Sequence, residues 1–158
     1  MDLTLPLDYA AIERILPHRY PFLLVDRIIE LEVDKRIVGI KNVSRNERYL
    51  SHAINGTPVM PPTILTEAVA QVGAILVLAK PENRQRLPFF AGIERVRYRR
   101  AVRPGDVVVI EAIVLRLRSR MGRLKGVARV NGQVVAEGTM TFALSDPADQ
   151  RSSDSPAS

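Results

Sequence analysis

Two histidines and no cysteine limit the chemistry available to this 158-residue chain. Without cysteine there are no disulfides, no thiolate metal sites and no thiol nucleophile. Glu67 lies in the run ILTEAVAQVGAILVL, flanked by Leu65, Ala68, Val69 and Ala70. A carboxylate is costly to bury there, so Glu67 is either a functional group or a carboxylate that merely meets the helix dipole in the first turns. Gln71 follows at i+4 on the same face. It orients the carboxylate, lines a pocket, or is a satisfied interface amide. His52 lies in the loop SHAING, where Gly56 suits a turn. His18, in LPHRYPF, reads as structural, near the loop after a first short helix.

The elements that must position these residues follow from pattern. Asp8 and YAAIERIL predict a short amphipathic helix ended by Pro17. FLLVDRIIELE (Phe22 to Glu32) and KRIVGIKNV (Lys35 to Val43) predict two strands with a turn at Val33 and Asp34. Residues 46–62 form a loop rich in Asn, Gly and Pro. Pro61 and Pro62 suit the first turn of a helix reaching Lys80, apolar nearly all round and therefore buried. Pro81 stops it. Three β segments follow, Phe89 to Arg99, Asp106 to Arg120 and Arg123 to Leu144, the last split by a hairpin turn at Asn131-Gly132. The expected class is α+β, one long helix wrapped by an antiparallel sheet. The domain spans 1–144, and the tail 145–158 (SDPADQRSSDSPAS) is expected to be disordered.

Composition narrows the partners. The N-terminus does not read as a signal peptide, and the longest apolar stretch is too short to span a bilayer, so a cytoplasmic protein is expected. The net charge is +6, and its excess is local. Between Glu94 and Lys125, ten Lys/Arg stand against Glu94, Asp106 and Glu111, so that segment carries +7. Arg95, Arg97 and Arg99 alternate along one strand, and Arg116, Arg118 and Arg120 along another, so each set should share a face. Such a face is either ordinary solvated sheet or a dock for an acidic partner. Nucleic acid is disfavoured, because aromatics are 5% of residues and no binding motif stands out.

Four stretches resemble the 3-hydroxyacyl-[acyl-carrier-protein] dehydratase family, its FabZ-like branch. They are LPHRYPFLLVDRI, KNVSRNE, PVMPPTILTEAVAQVGAIL, and FFAGIERVRYRRAVRPGD with GRLKGVARVNGQVVAEGTMTFAL, in the family's order over roughly residues 5 to 144. The resemblance implies a hotdog fold, a homodimer with shared active sites or a trimer of dimers, and no cofactor or metal. It also implies dehydration of 3-hydroxyacyl thioesters for fatty-acid synthesis, carried by acyl carrier protein or coenzyme A. In that chemistry a loop His removes the α-proton, a helix Glu protonates the departing hydroxyl, and an N–H at the helix start polarises the thioester carbonyl. Laid on the family pattern without a gap, this chain keeps Asn46, Glu47, Gly56, Pro58, Pro61, Glu67 and Gln71. The match departs at the chemistry. The family's loop His falls on Ala53, its preceding Gly on His52, and the helix-opening Gly on Pro62. His52 is then either a base displaced by one residue or a bystander. If position 62 supplies the oxyanion donor, proline removes it. Three functions compete on this pattern: an active dehydratase, a hotdog thioesterase working through Glu67, and an acyl-thioester-binding homologue without catalysis.

Overall fold

The computed structural model describes residues 4–50, 56–118 and 120–145. Its elements are α1 (Tyr9–Glu13), β1 (Arg27–Glu32), β2 (Arg36–Asn42), α2 (Pro62–Leu78), β3 (Pro88–Tyr98), β4 (Val107–Leu117), β5 (Met121–Val130) and β6 (Gln133–Leu144). The six strands form one antiparallel sheet in the order β1-β2-β4-β5-β6-β3. This is the expected α+β arrangement, the hotdog fold.

Local chemistry explains the element ends. Asp8 caps α1 by accepting from the Ala11 N–H at 2.8 Å. Asn131 and Gly132 both take positive φ, 51° and 77°, in the turn between β5 and β6. That matches the right-handed twist of the hairpin. Pro61 and Pro62 open α2 with no side-chain cap, and the Ile64 and Leu65 N–H groups both return to the Pro61 carbonyl. At the other end the Ala79 N–H reaches the Ile75 carbonyl at 2.8 Å before Pro81 breaks the ladder.

The sheet curves around α2, which packs on β2, β4, β5 and β6. Leu65, Ala68, Val69, Val72, Ile75 and Leu76 of the helix are all buried. Burial of each large aliphatic side chain contributes about 1.5–3 kcal/mol. Helix and sheet approach closely because glycines leave sockets. A Cβ at Gly126 would stand 2.3 Å from Val69, and one at Gly39 2.7 Å from Val72.

Three expectations are corrected in detail. The first strand begins at Arg27 and not Phe22. Leu23, Leu24 and Val25 are buried in succession, so this segment has no solvent-facing side, and the Leu24 N–H goes to a side chain, not a sheet neighbour. The arginine alternation along β3 fails because the register shifts between Glu94 and Arg97, with Arg95 at φ 55°. A bulge of this kind moves every later side chain to the other face. The third correction concerns β4, which shifts register between Val114 and Arg116 and ends at Leu117, so Arg118 and Arg120 lie beyond it. Ser145, placed with the tail by composition, exchanges two hydrogen bonds with Leu87. No helix among the described residues is long and apolar enough to cross a membrane.

Candidate active site

Glu67 sits on the face of α2 that the sheet leaves open, with its side chain 23% exposed. Its neighbours on that face are Thr63, Thr66 and Ala70, which with Phe90, Ile93 and Tyr98 line an open groove between α2 and β3. The groove adjoins a cavity of about 120 Å³ that reaches inward past Gly73 and Ala74 to Leu124, Met140 and Phe142. Its polar lining comes from Glu67, Gln71 and His18, and the remaining wall is apolar. A site of this shape takes an extended apolar chain and sets a few polar groups at one end of it.

Gln71 is the organising residue. It is 1% exposed, and both its polar side-chain atoms have partners. Its Nε2 donates to Glu67 Oε1 at 2.9 Å and to the Phe22 carbonyl at 2.8 Å, while its Oε1 accepts the Leu24 N–H at 2.9 Å. A buried amide with every group satisfied gives rigidity, whereas a half-satisfied one would be costly. Gln71 therefore ties residues 22–24 to α2 and fixes one oxygen of Glu67. Gln71 thus touches the carboxylate and lines the cavity.

The same tie brings His18 to the site. Its Nε2 lies 3.4 Å from Glu67 Oε1. Its Nδ1 is buried without a hydrogen-bond partner among the described residues. Sequence reasoning took His18 for a structural residue. The one available signal was its place within the first family-like stretch, LPHRYPF.

The loop side of the site is described up to Leu50 and again from Gly56. His52 and Ala53 lie outside the described residues. The incoming arm is well anchored. Lys41, 4% exposed, meets Glu47 at 2.6 Å and Asp26 at 3.8 Å, and Arg45 donates to the Leu50 carbonyl at 3.0 Å. A buried ammonium is costly unless it is paired, and the Lys41–Glu47 contact holds this arm together. Tyr49 has a buried hydroxyl with no partner among the described residues, and burial pushes its ionisation above the ordinary tyrosine range. Gly56 has φ 75°, with open space where a Cβ would be, as a turn requires. It is not among the residues lining the Glu67 cavity. At the helix start, Pro61 and Pro62 both lack an N–H, so neither can polarise a carbonyl.

The basic surface is partly neutralised. Arg99 pairs with Glu137, and Arg123 with Glu94 at 2.7 Å. The Arg99 guanidinium holds the Glu137 carboxyl below its usual range. Arg116, Arg118 and Arg123 surround a shallow depression at Gly122.

Comparison with known proteins supports the same reading. The FabA-like domain model matches residues 16–139. A 3-hydroxyacyl-[acyl-carrier-protein] dehydratase FabZ of Geobacillus thermodenitrificans is 53% identical over 140 residues, covering 89% of this chain and 97% of that protein. One from Caldicellulosiruptor saccharolyticus is 51% identical over 137 residues, covering 87% and 98%. Among solved structures, the dehydratase heterocomplex ApeI:P of Xenorhabdus doucetiae superposes with a TM-score of 0.75 at 20% identity, covering 92% of this chain and 97% of that one. At that identity the likeness shows the fold. With the domain match, the half-identical relatives and the carboxylate at the mouth of an apolar cavity, the chain belongs to the FabZ-like 3-hydroxyacyl-[acyl-carrier-protein] dehydratase family.

Proposed function

We propose that this protein dehydrates (3R)-3-hydroxyacyl thioesters of acyl carrier protein to trans-2-enoyl thioesters, with Glu67 as the proton donor. The observation that carries this reading is Glu67 held by Gln71 at the polar end of an otherwise apolar cavity. The acyl chain lies along the apolar wall, which puts C3 and its hydroxyl at the carboxyl. Glu67 gives its proton to the hydroxyl as the C3–O bond breaks, and water leaves. The C2–H bond supplies the electron pair of the new double bond, and its proton passes to an imidazole. Gln71 sets the Glu67 oxygen, and Gly56 shapes the loop turn. The chain has two imidazoles to offer, His18 and His52.

The functional unit in this reading is a homodimer. Strand β3 is a sheet edge with Phe89, Phe90, Ile93 and Tyr98 each about half exposed. An apolar edge beside an open helix face calls for a partner, and a second copy of β3 supplies one. The arginines around Gly122 favour an acidic carrier protein, and we expect the chemistry to run in the cytoplasm.

Incubation with a trans-2-enoyl carrier-protein thioester tests the reading, with products resolved by mass. A product heavier by one water supports it. Free acid and free carrier thiol would indicate a thioesterase, and unchanged substrate a binding protein.

A further inference from the structure

We propose that His18 is the base that works with Glu67 in this chain, so that both halves of the proton transfer come from one wall of the cavity. This rests on the dehydratase reading and deepens it. The loop position that would present an imidazole holds Ala53, whose methyl cannot take a proton. His18 and Glu67 line the same cavity, their side chains 27% and 23% exposed, and Nε2 stands 3.4 Å from Oε1. Elimination needs a proton removed at C2 and another delivered to the oxygen on C3. Two groups in contact with each other suit two reaction centres on adjacent carbons.

The proton count closes within the pair. The step needs an imidazole that accepts a proton at Nε2 and a Glu67 carboxyl that carries one. The C2 proton passes to His18, the C2–H electrons form the double bond, and the C3–O bond breaks as Glu67 protonates the hydroxyl. His18 is then an imidazolium beside the Glu67 carboxylate. Transfer of that proton from Nε2 to Oε1 restores both groups without solvent. The separation is slightly long for a hydrogen bond in the unliganded site, and such contacts tighten when substrate binds.

The two ring nitrogens are placed differently. Nδ1 is buried with no partner among the described residues, and Nε2 is the nitrogen that meets Glu67 beside the cavity. Glu67 on α2 meets His18, and Arg19 follows it on its own segment. Arg19 turns its Nη1 to the carbonyls of Leu16 and His18, at 2.8 and 2.7 Å. With Gln71 holding Phe22 and Leu24, the histidine is fixed from both sides before substrate arrives.

The test is hydration of a trans-2-enoyl carrier-protein thioester by the unaltered protein, His18→Gln, His18→Asn, His52→Ala, Ala53→His and the His18→Gln/Ala53→His double variant. Thermal midpoints are measured alongside, and two His18 variants are made so that a folding failure of one leaves the other to decide. General base catalysis is worth about 10²–10⁴-fold, so kcat should fall by at least about 100-fold at His18 with KM nearly unchanged. His52→Ala should cost less, and Ala53→His should restore turnover to the His18→Gln protein. A His18 variant within threefold of the unaltered rate, a larger loss at His52→Ala, or no recovery from Ala53→His would overturn the proposal. Turnover by Ala53→His but not by the unaltered protein would overturn it and spare the dehydratase reading. Turnover by neither would end both.

Discussion

The two faces of α2 are built on opposite principles. Toward the sheet, Val69 and Val72 sit in sockets left by Gly126 and Gly39, and Ile75 is fully buried. Toward β3, Thr63, Thr66, Glu67 and Ala70 leave a groove, and a carboxylate stands at its edge. The first face is specified by shape and tolerates no added volume. The second is specified by hydrogen bonds, and Gln71, one turn beyond Glu67, joins the two. A helix apolar nearly all round can thus carry one acid, because the fold supplies an amide to hold it.

The comparison can be broken first at its joint. Gln71→Leu keeps the volume and removes three hydrogen bonds, leaving the buried Leu24 N–H unpaired. We expect a loss of about 2–4 kcal/mol of stability, with turnover falling further than the folded fraction, since unsatisfied buried groups cost about 1–3 kcal/mol each. Urea unfolding and kcat on the same sample separate the two effects. Ile75→Ala breaks the packed face alone. It should cost about 2–4 kcal/mol and leave turnover per folded molecule nearly unchanged well below the unfolding midpoint.

The open face is sharpened by addition. Ala53→His with Pro62→Gly supplies a loop imidazole and a helix-opening N–H, and a regained donor of this kind is worth up to about 10²-fold. Turnover should rise by about tenfold or more in the steady-state assay, and a fall would place the loop elsewhere. A smaller effect is expected from Arg116→Glu with Arg118→Glu at the depression around Gly122. Carrier-protein affinity should drop about tenfold at low salt, and the difference should shrink near physiological salt, where exposed charges are screened over about 8 Å. Titration at two ionic strengths checks it.

The smallest effect is expected at Tyr49. Burial raises its pKa in the folded state, so the neutral phenol is favoured there and the unfolded chain ionises first as pH rises. Its contribution is therefore intact below the ordinary tyrosine pKa near 10 and is lost above it. Tyr49→Phe should change stability at pH 7 by less than about 1 kcal/mol, because the hydroxyl has no partner among the described residues to lose. It should also soften the fall in stability above pH 10, as thermal unfolding across that range would show.

Much of this was legible in the sequence. The helix limits follow from Pro61, Pro62 and Pro81, the β5–β6 hairpin from Asn131-Gly132, and Glu67 stands out as a charge in an apolar run. The missing parts depend on long-range contacts. His18 is 49 residues from Glu67 and reaches it because Gln71 bonds the backbone of residues 22 and 24. No local periodicity encodes that tie. The bulge at Arg95 is equally silent, since arginine seldom adopts positive φ and strand alternation assumes none. The role of His52 is decided by the loop 51–55, for which Gly56 and Pro58 give turn chemistry and no direction.

The central claim is that the carboxyl of Glu67 delivers the proton in a dehydration. Glu67→Gln keeps the size and can still meet the Gln71 amide, but it has no acidic proton to give. The decisive measurement is kcat for a 3-hydroxyacyl carrier-protein thioester in the unaltered and Glu67→Gln proteins, with their unfolding midpoints. The account predicts a loss of about 10³-fold or more, within the range for general acid catalysis, with the midpoint shifted by no more than a few degrees. Equal turnover by the two proteins would contradict it.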